Sequence, residues 1–170
     1  MSVPFPAATQ PAENRSEVYL RYLGYFRYGV VRRVAAMSED EARRSRVPSG
    51  WSPLELVRHL TFMERRWFAW GFEGQAVDEP FGDAVDGRWV VPEELGVAEV
   101  LAAFRSQAAA TDAVVRRHDL DEVGQPGERW DGQPPATLER VLLHVLQEHA
   151  RHLGHLDVVA ELGGGVTGEA

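Results

Sequence analysis

Apolar residues recur at the three- and four-residue spacing of an α-helix in four long stretches of the chain. The first, over 16–37, presents Val18, Leu20, Tyr22, Leu23, Phe26, Val30, Val31 and Val34 as one broad face. Gly24 and Gly29 interrupt it; each weakens an isolated helix and each leaves room for a neighbour to approach. Ser38 followed by Glu41 is a capping box that opens a short helical piece. A second long helix starts after Trp51, where Ser52, Pro53 and Glu55 combine an N-cap, a proline in the first turn and a box partner. Its pattern continues through His59, Met63, Trp67 and Trp70 and ends at Gly71 or Gly74. The third helix spans 97–118, with Val100, Leu101, Phe104, Ala108, Thr111 and Val115 at helical spacing. Thr137 caps the fourth, which runs to about Leu162 and is stopped by Gly163, Gly164 and Gly165.

Two long connections separate these helices. The one over 75–94 is rich in Gly, Asp and Pro, and Trp89, Val90 and Val91 are expected to fold it back on the helices. The other covers 119–135, with Trp130 as its anchor. No strand and no internal repeat is predicted. Four amphipathic helices make an all-α protein, a four-helix bundle whose long loops leave room for crossovers. The expected organisation is a flexible segment over 1–15, one bundle domain over 16–165 and a frayed tail over 166–170.

Composition narrows the function classes. With 170 residues, 44% of them hydrophobic, the chain has the size and core of one domain. A net charge of −8 argues against nucleic acid, whose phosphates need clustered positive charge. All basic residues are Arg, and Lys and Ile are both absent, a pattern that fits GC-rich coding rather than function. Cysteine is also absent, so any thiol chemistry must borrow its sulfur from a small molecule. The Pro- and Ala-rich start lacks the basic and apolar regions of a signal peptide, and no apolar run approaches a bilayer span. A cytoplasmic protein without membrane contact is the expectation.

The candidate chemistry lies on the last helix. At about 100° per residue, Leu138, Val141, Leu142, Val145, Leu156 and Val159 form its apolar face, and Glu148 and His152 ride on the edge. Four residues is just over one turn, so carboxylate and imidazole stack on one side and can grip a divalent cation. His59 on the second helix, among Leu56, Leu60, Met63 and Trp67, is the candidate third ligand from a facing helix. The spacing leaves competitors. His149 points nearer the middle of the apolar face, where a core histidine with one hydrogen bond is the plainer reading. His144 is also four residues from Glu148, and His155 is three from His152, as a ligand, a supporting group or a substrate contact. The paired arginines Arg32/Arg33, Arg65/Arg66 and Arg116/Arg117 read as solvated or salt-bridged groups.

The segment from Trp51 to Leu60, WSPLELVRHL, resembles the second-helix motif of the DinB-like superfamily. The segment from Glu148 to Asp157, EHARHLGHLD, is similar to the fourth-helix motif of its mycothiol-transferase branch. The resemblance covers about 16–165 and implies a four-helix bundle with a long crossover connection. It implies a divalent metal, zinc or nickel, held by His59, Glu148 and His152, and it disfavours His149. It further implies a low-molecular-weight thiol such as mycothiol, a small electrophile as partner, and a homodimer as one expectation. The separate substrate domain of some isomerases in the family has no counterpart in a chain this short.

Three functions follow as expectations. The first is a metal-dependent transferase or isomerase that activates a small thiol. The second is a hydrolase that activates water at the same ligands. The third is a non-catalytic metal- or ligand-binding bundle, in which Tyr19, Tyr22, Tyr25 and Tyr28 line a dimer interface. Catalytic and thiol-binding residues are not identifiable from the pattern.

Overall fold

The computed structural model describes residues 3–164, so Gly165 and the 166–170 tail lie outside the described residues. The elements in order are α1 (Arg15–Ala35), α2 (Glu39–Arg43), α3 (Pro53–Arg65), β1 (Ala84–Val85), β2 (Arg88–Trp89), α4 (Val97–Arg117) and α5 (Leu138–Leu162). α3 continues as a π-helical extension over Arg66–Phe72, and a single 3₁₀ turn, Glu128–Trp130, interrupts the α4–α5 connection.

The helix starts follow local chemistry. Asn14 accepts from the Glu17 amide at 2.9 Å, and Ser38/Glu41 and Ser52/Glu55 each form both bonds of a capping box. Thr137 accepts from the Arg140 amide at 3.4 Å and caps α5. α4 begins at Gly96, which has no side-chain cap to offer; instead Glu39 of α2 accepts from the Val97 amide at 2.7 Å. A carboxylate at a helix N-terminus is favoured by the macrodipole, so α2 serves as the cap of α4.

α1 packs on α5 and α4, while α3 packs on α4 and α5. The helices α1 and α3 therefore face each other across one diagonal, and α4 and α5 across the other. Both the α1–α3 and α4–α5 connections cross the bundle; of the two long loops only that over 119–135 is a crossover, and that over 75–94 joins the neighbours α3 and α4. Gly29 gives α1 its close approach to α5: a Cβ there would lie 2.8 Å from Leu153 Cδ2. Gly24 has open space beside it and plays no such part. The core is built from Leu23, Val30, Leu54, Leu60, Phe68, Phe104, Leu142 and Leu156, all nearly or wholly shielded from solvent. Burial of each of the larger of these contributes roughly 1.5–3 kcal/mol.

A polar knot sits inside that core. Glu64 on α3 is 0% exposed, and its carboxylate accepts from all the other long helices. Arg27 of α1 donates from Nε to Oε1 at 2.9 Å and from Nη2 to Oε2 at 2.7 Å. Thr111 of α4 donates to Oε2 at 2.6 Å, and Nε2 of His149 of α5 bonds Oε1 at 2.6 Å. Arg27 also reaches Asp112 of α4 at 2.7 Å through Nη1. The core-histidine reading of His149 thus matches its observed place. Its Nδ1 is buried with no hydrogen-bond partner among the described residues.

Two expectations need correction. The 75–94 connection contains a strand pair: β1 and β2 form an antiparallel hairpin, with Ala84 opposite Trp89. Asp86 and Gly87 make its turn with φ of 50° and 75°, the left-handed pair of a type I′ turn. Asp-Gly is a strong local hairpin signal, but strands of two residues are too short to show alternation. The second helix is also not uniform to its end. From Arg66 its turns widen, burying Phe68 and Phe72 while Trp67 and Trp70 stay half-exposed.

Burial raises the pKa of Glu64, but the charge of Arg27 and the bonds from His149 and Arg27 outweigh it and lower it from 4.5 to about 2. The folded carboxyl therefore binds its proton later than the unfolded one as pH falls. The stability it contributes is complete above about pH 4.5 and is lost as pH falls toward about 2. Glu64→Gln is expected to destabilise the fold by about 3–5 kcal/mol in urea denaturation at neutral pH, because it leaves Arg27 buried beside a neutral partner. The same variant should flatten the stability–pH curve across that acid window.

Candidate metal centre

The capping box at Ser52 and the Pro53 start set the phase of α3 and aim His59 toward α5. The knot at Glu64, five residues on, fixes α3 against α5 through His149. Glu148 and His152 flank His149 in sequence and so are carried to the side that meets His59. His59, Glu148 and His152 each offer one donor atom, and the three atoms lie within 4.8 Å of one another. The His59 and His152 rings meet edge-to-face at 5.3 Å between centroids. His152 Nε2 and Glu148 Oε2 are 3.2 Å apart.

His149 is turned away into the knot and is not among the three. His155 lies beside the site, its Nδ1 3.4 Å from His152 Nδ1. His144 sits one turn before Glu148, against the indole of Trp67 with centroids 4.4 Å apart.

The hairpin forms the wall of the site. Trp89 stacks on His59 with centroids 4.1 Å apart and planes 17° from parallel, and it touches His152 edge-on at 5.5 Å. Trp51 packs against both Trp89 and His155. The expected fold-back of the loop is observed, with Trp89 as its contact. Arg58 holds the hairpin base by donating to the carbonyls of Gly82 at 2.6 Å and Val90 at 2.9 Å.

Asp83, which opens this hairpin, was not among the sequence candidates, yet it is only 2% exposed. Its Oδ2 lies 3.0 Å from His59 Nδ1, and its Oδ1 accepts from Arg66 Nη1 at 2.6 Å. Burial would raise the Asp83 pKa, but the bonds from His59 and Arg66 and the charge of Arg66 prevail and lower it. An ionised Asp83 takes the proton of His59 on Nδ1 and leaves Nε2 as the free donor. A carboxylate behind a ligating imidazole is the usual support of a metal-binding histidine. Nothing in the local sequence marks this role, because Asp83 meets His59 only through the tertiary fold.

The site disfavours added protons. Burial, and then the neighbouring His59, lower the pKa of His152 from 6.5 to about 4, against the opposing charge of Glu148. His152 is therefore neutral at physiological pH, the form in which imidazole binds a metal. A neutral His152 nitrogen, the His59 imidazole and an edge carboxylate make a donor set of the His/Glu type known for zinc and similar divalent ions. The residues present fit such an ion.

The sequence profile of the mycothiol-S-transferase family matches residues 18–165. The chain belongs to the mycothiol-S-transferase family. No curated protein matches it by sequence. Among solved structures it is similar to YfiT from Bacillus subtilis, with a TM-score of 0.63 at 15% identity over 96% of this chain and 95% of that one. YfiT is described as a probable metal-dependent hydrolase with an unusual four-helix bundle topology. At that identity the likeness establishes the shared fold, a four-helix bundle. No helix among the described residues is long and apolar enough to cross a membrane.

Asp83→Asn should weaken divalent-metal binding about 10–100-fold in a chelator-competition titration, since it removes the charge that orients His59. In the metal-free protein, the His152 ring should titrate near pH 4 by NMR. A midpoint at 6.5 would contradict the buried, neutral site.

Proposed function

We propose that this protein is a metal-dependent transferase in which His59, Glu148 and His152 hold a divalent ion, zinc or nickel, and a small thiol attacks a small electrophile. The observation that carries the reading is the convergence of three potential ligand atoms from two helices within 4.8 Å of one another. Membership of the mycothiol-S-transferase family favours mycothiol as the thiol. A divalent ion held by His59, Glu148 and His152 would supply Lewis acidity that favours the thiolate form of a bound thiol, its proton passing to solvent.

The chain's own residues do the rest. Asp83 keeps the proton of His59 on the far nitrogen, and Arg66 keeps Asp83 ionised. Glu148 offsets one positive charge of the ion while His152 stays uncharged. Trp89 and Trp51 wall the site with apolar surface and limit water around the reacting sulfur. With no cysteine in the chain, no protein thiol competes for the ion.

Hydrolysis by metal-activated water is the second reading, favoured by the likeness to YfiT and possible with the same three donors. Purified protein should carry one divalent ion per chain by elemental analysis. His59→Ala and His152→Ala should each lose it, and Glu148→Gln should bind it more weakly, whereas His155→Ala should retain it. Metal-dependent conjugation of mycothiol to an alkylating agent should fall in His152→Ala by more than the ~10–100-fold that loss of an outer partner costs. Full conjugation by demetallated protein rejects the proposal, and turnover that persists in thiol-free buffer selects the hydrolase.

A further inference from the structure

The stripe of α5 that carries Glu148 and His152 continues one turn back to His144, and α3 runs beside it from His59 to Trp67. His144 and Trp67 are in contact, with ring centroids 4.4 Å apart, so a line of side chains continues from the candidate metal site toward the α4–α5 connection. One turn of helix advances the chain by roughly 6 Å over four residues. At that far end stands Arg129, on the 3₁₀ turn Glu128–Trp130. Its guanidinium lies over the Trp67 ring, 3.9 Å from the centroid. Trp130 fixes the turn by packing on Trp67 and donating from Nε1 to the Gln125 carbonyl at 2.9 Å. Gly71 makes the slot: a Cβ there would come within 3.3 Å of Arg129 Cγ and 3.5 Å of Trp130 Cζ2.

Most arginines of this chain that approach its core are neutralised. Arg27 has Glu64 and Asp112, and Arg66 has Asp83. Arg129 has no carboxylate partner among the described residues. Its Nε is buried without a hydrogen bond. Burial, and next to it the charge of Arg66, lower its pKa, so its surroundings add positive charge instead of compensating it. The nearest acid on the stripe, Glu148, is taken up by Gln147 on Oε1 at 3.3 Å and by His152 on Oε2 at 3.2 Å. A solvated surface arginine would extend into water. This one is held flat on an indole in a slot that Gly71 keeps open, and stacking leaves the edge of the guanidinium free for a planar acceptor.

We infer that the face carrying Glu148, His144 and Trp67 is a substrate cleft, and that Arg129, stacked on Trp67, is its anion-binding end and recognises a carboxylate of the electrophilic substrate. Such a substrate carries its carboxylate several ångströms from the carbon that reacts. Trp67 backs the guanidinium, and His144 lines the floor between the two ends. The inference rests on the reading of the cleft as a substrate site, but its binding test requires neither metal nor thiol.

Benzoate and its uncharged counterpart benzamide are the probes, titrated into metal-free protein and followed by calorimetry and by the Trp67 indole resonance. Metal-free protein removes direct carboxylate–metal binding as a source of preference. Benzoate should bind about 10-fold or more tightly than benzamide and shift the Trp67 signal. Arg129→Met, which keeps most of the stacked area, should erase the preference, and Arg129→Lys should restore part of it. In the metal-loaded enzyme, Arg129→Met should raise KM for a carboxylate-bearing electrophile about 10–100-fold with kcat little changed, and leave KM for a neutral one unaltered. Equal affinity for the two probes, no benzoate response at Trp67, or a preference that survives Arg129→Met overturns the inference. Benzoate selectivity in a protein that transfers no thiol would sink the proposed activity and leave this subsite standing.

Discussion

The buried carboxylate of Glu64 is the constraint on which the rest of the structure depends. An isolated ionised carboxylate inside a protein is prohibitively costly, and this one is tolerated because Arg27, Thr111 and His149 satisfy both of its oxygens. Those partners come from α1, α4 and α5, so no long helix can rotate or slide without breaking a charge-assisted bond in low dielectric. Apolar packing alone tolerates small changes of register at modest cost, since one hydrophobic contact replaces another. A hydrogen-bonded knot does not, because each lost bond leaves a buried polar atom. The surface pairs, such as Arg116 with Asp112 at 3.8 Å, contribute little beside it.

That lock bears directly on the chemistry. His149 and the Glu148/His152 pair lie within about one and a half turns of α5, and Glu64 and His59 share α3. Fixing His149 on Glu64 therefore fixes the separation and phase of the three donors. The knot lies in the dry centre and the donors lie at its edge, so a single rigid body separates structural charge from reactive charge. The hairpin adds the second layer of control. Its Asp-Gly turn places Asp83 behind His59 and Trp89 across its face, so a loop supplies both the proton bookkeeping of one ligand and the wall of the cavity.

The two ends of the proposed cleft differ in charge. One end gathers two imidazoles and a carboxylate, a setting for a cation. The other holds an uncompensated guanidinium on an aromatic face, a setting for an anion. A substrate spanning them would be oriented by opposite charges at its termini. An apolar wall between the charges strengthens both, because low dielectric raises the strength of every electrostatic contact.

Much of this was legible in the sequence. The caps at Ser38, Ser52 and Thr137, the apolar periodicity of the four long helices and the i, i+4 pair of Glu148 and His152 are local properties, fixed by backbone geometry within a turn or two. Glu64 and Arg27 also left a trace, each a charge inside an apolar stripe, between Leu60 and Phe68 and between Leu23 and Val30. Their pairing was not visible, because 37 residues separate them and only the packed bundle makes them neighbours. The hairpin escaped for the opposite reason: its turn signal is present, but its strands are too short to carry a period. What tertiary structure alone decided is which histidine faces which acid. His149 went to Glu64 and His59 to Asp83, whereas His152 and Glu148 pair within α5 itself. The sequence specifies the donors and their spacing along each helix, while the relative rotation of two helices, set by buried packing and charge, determines which of them meet.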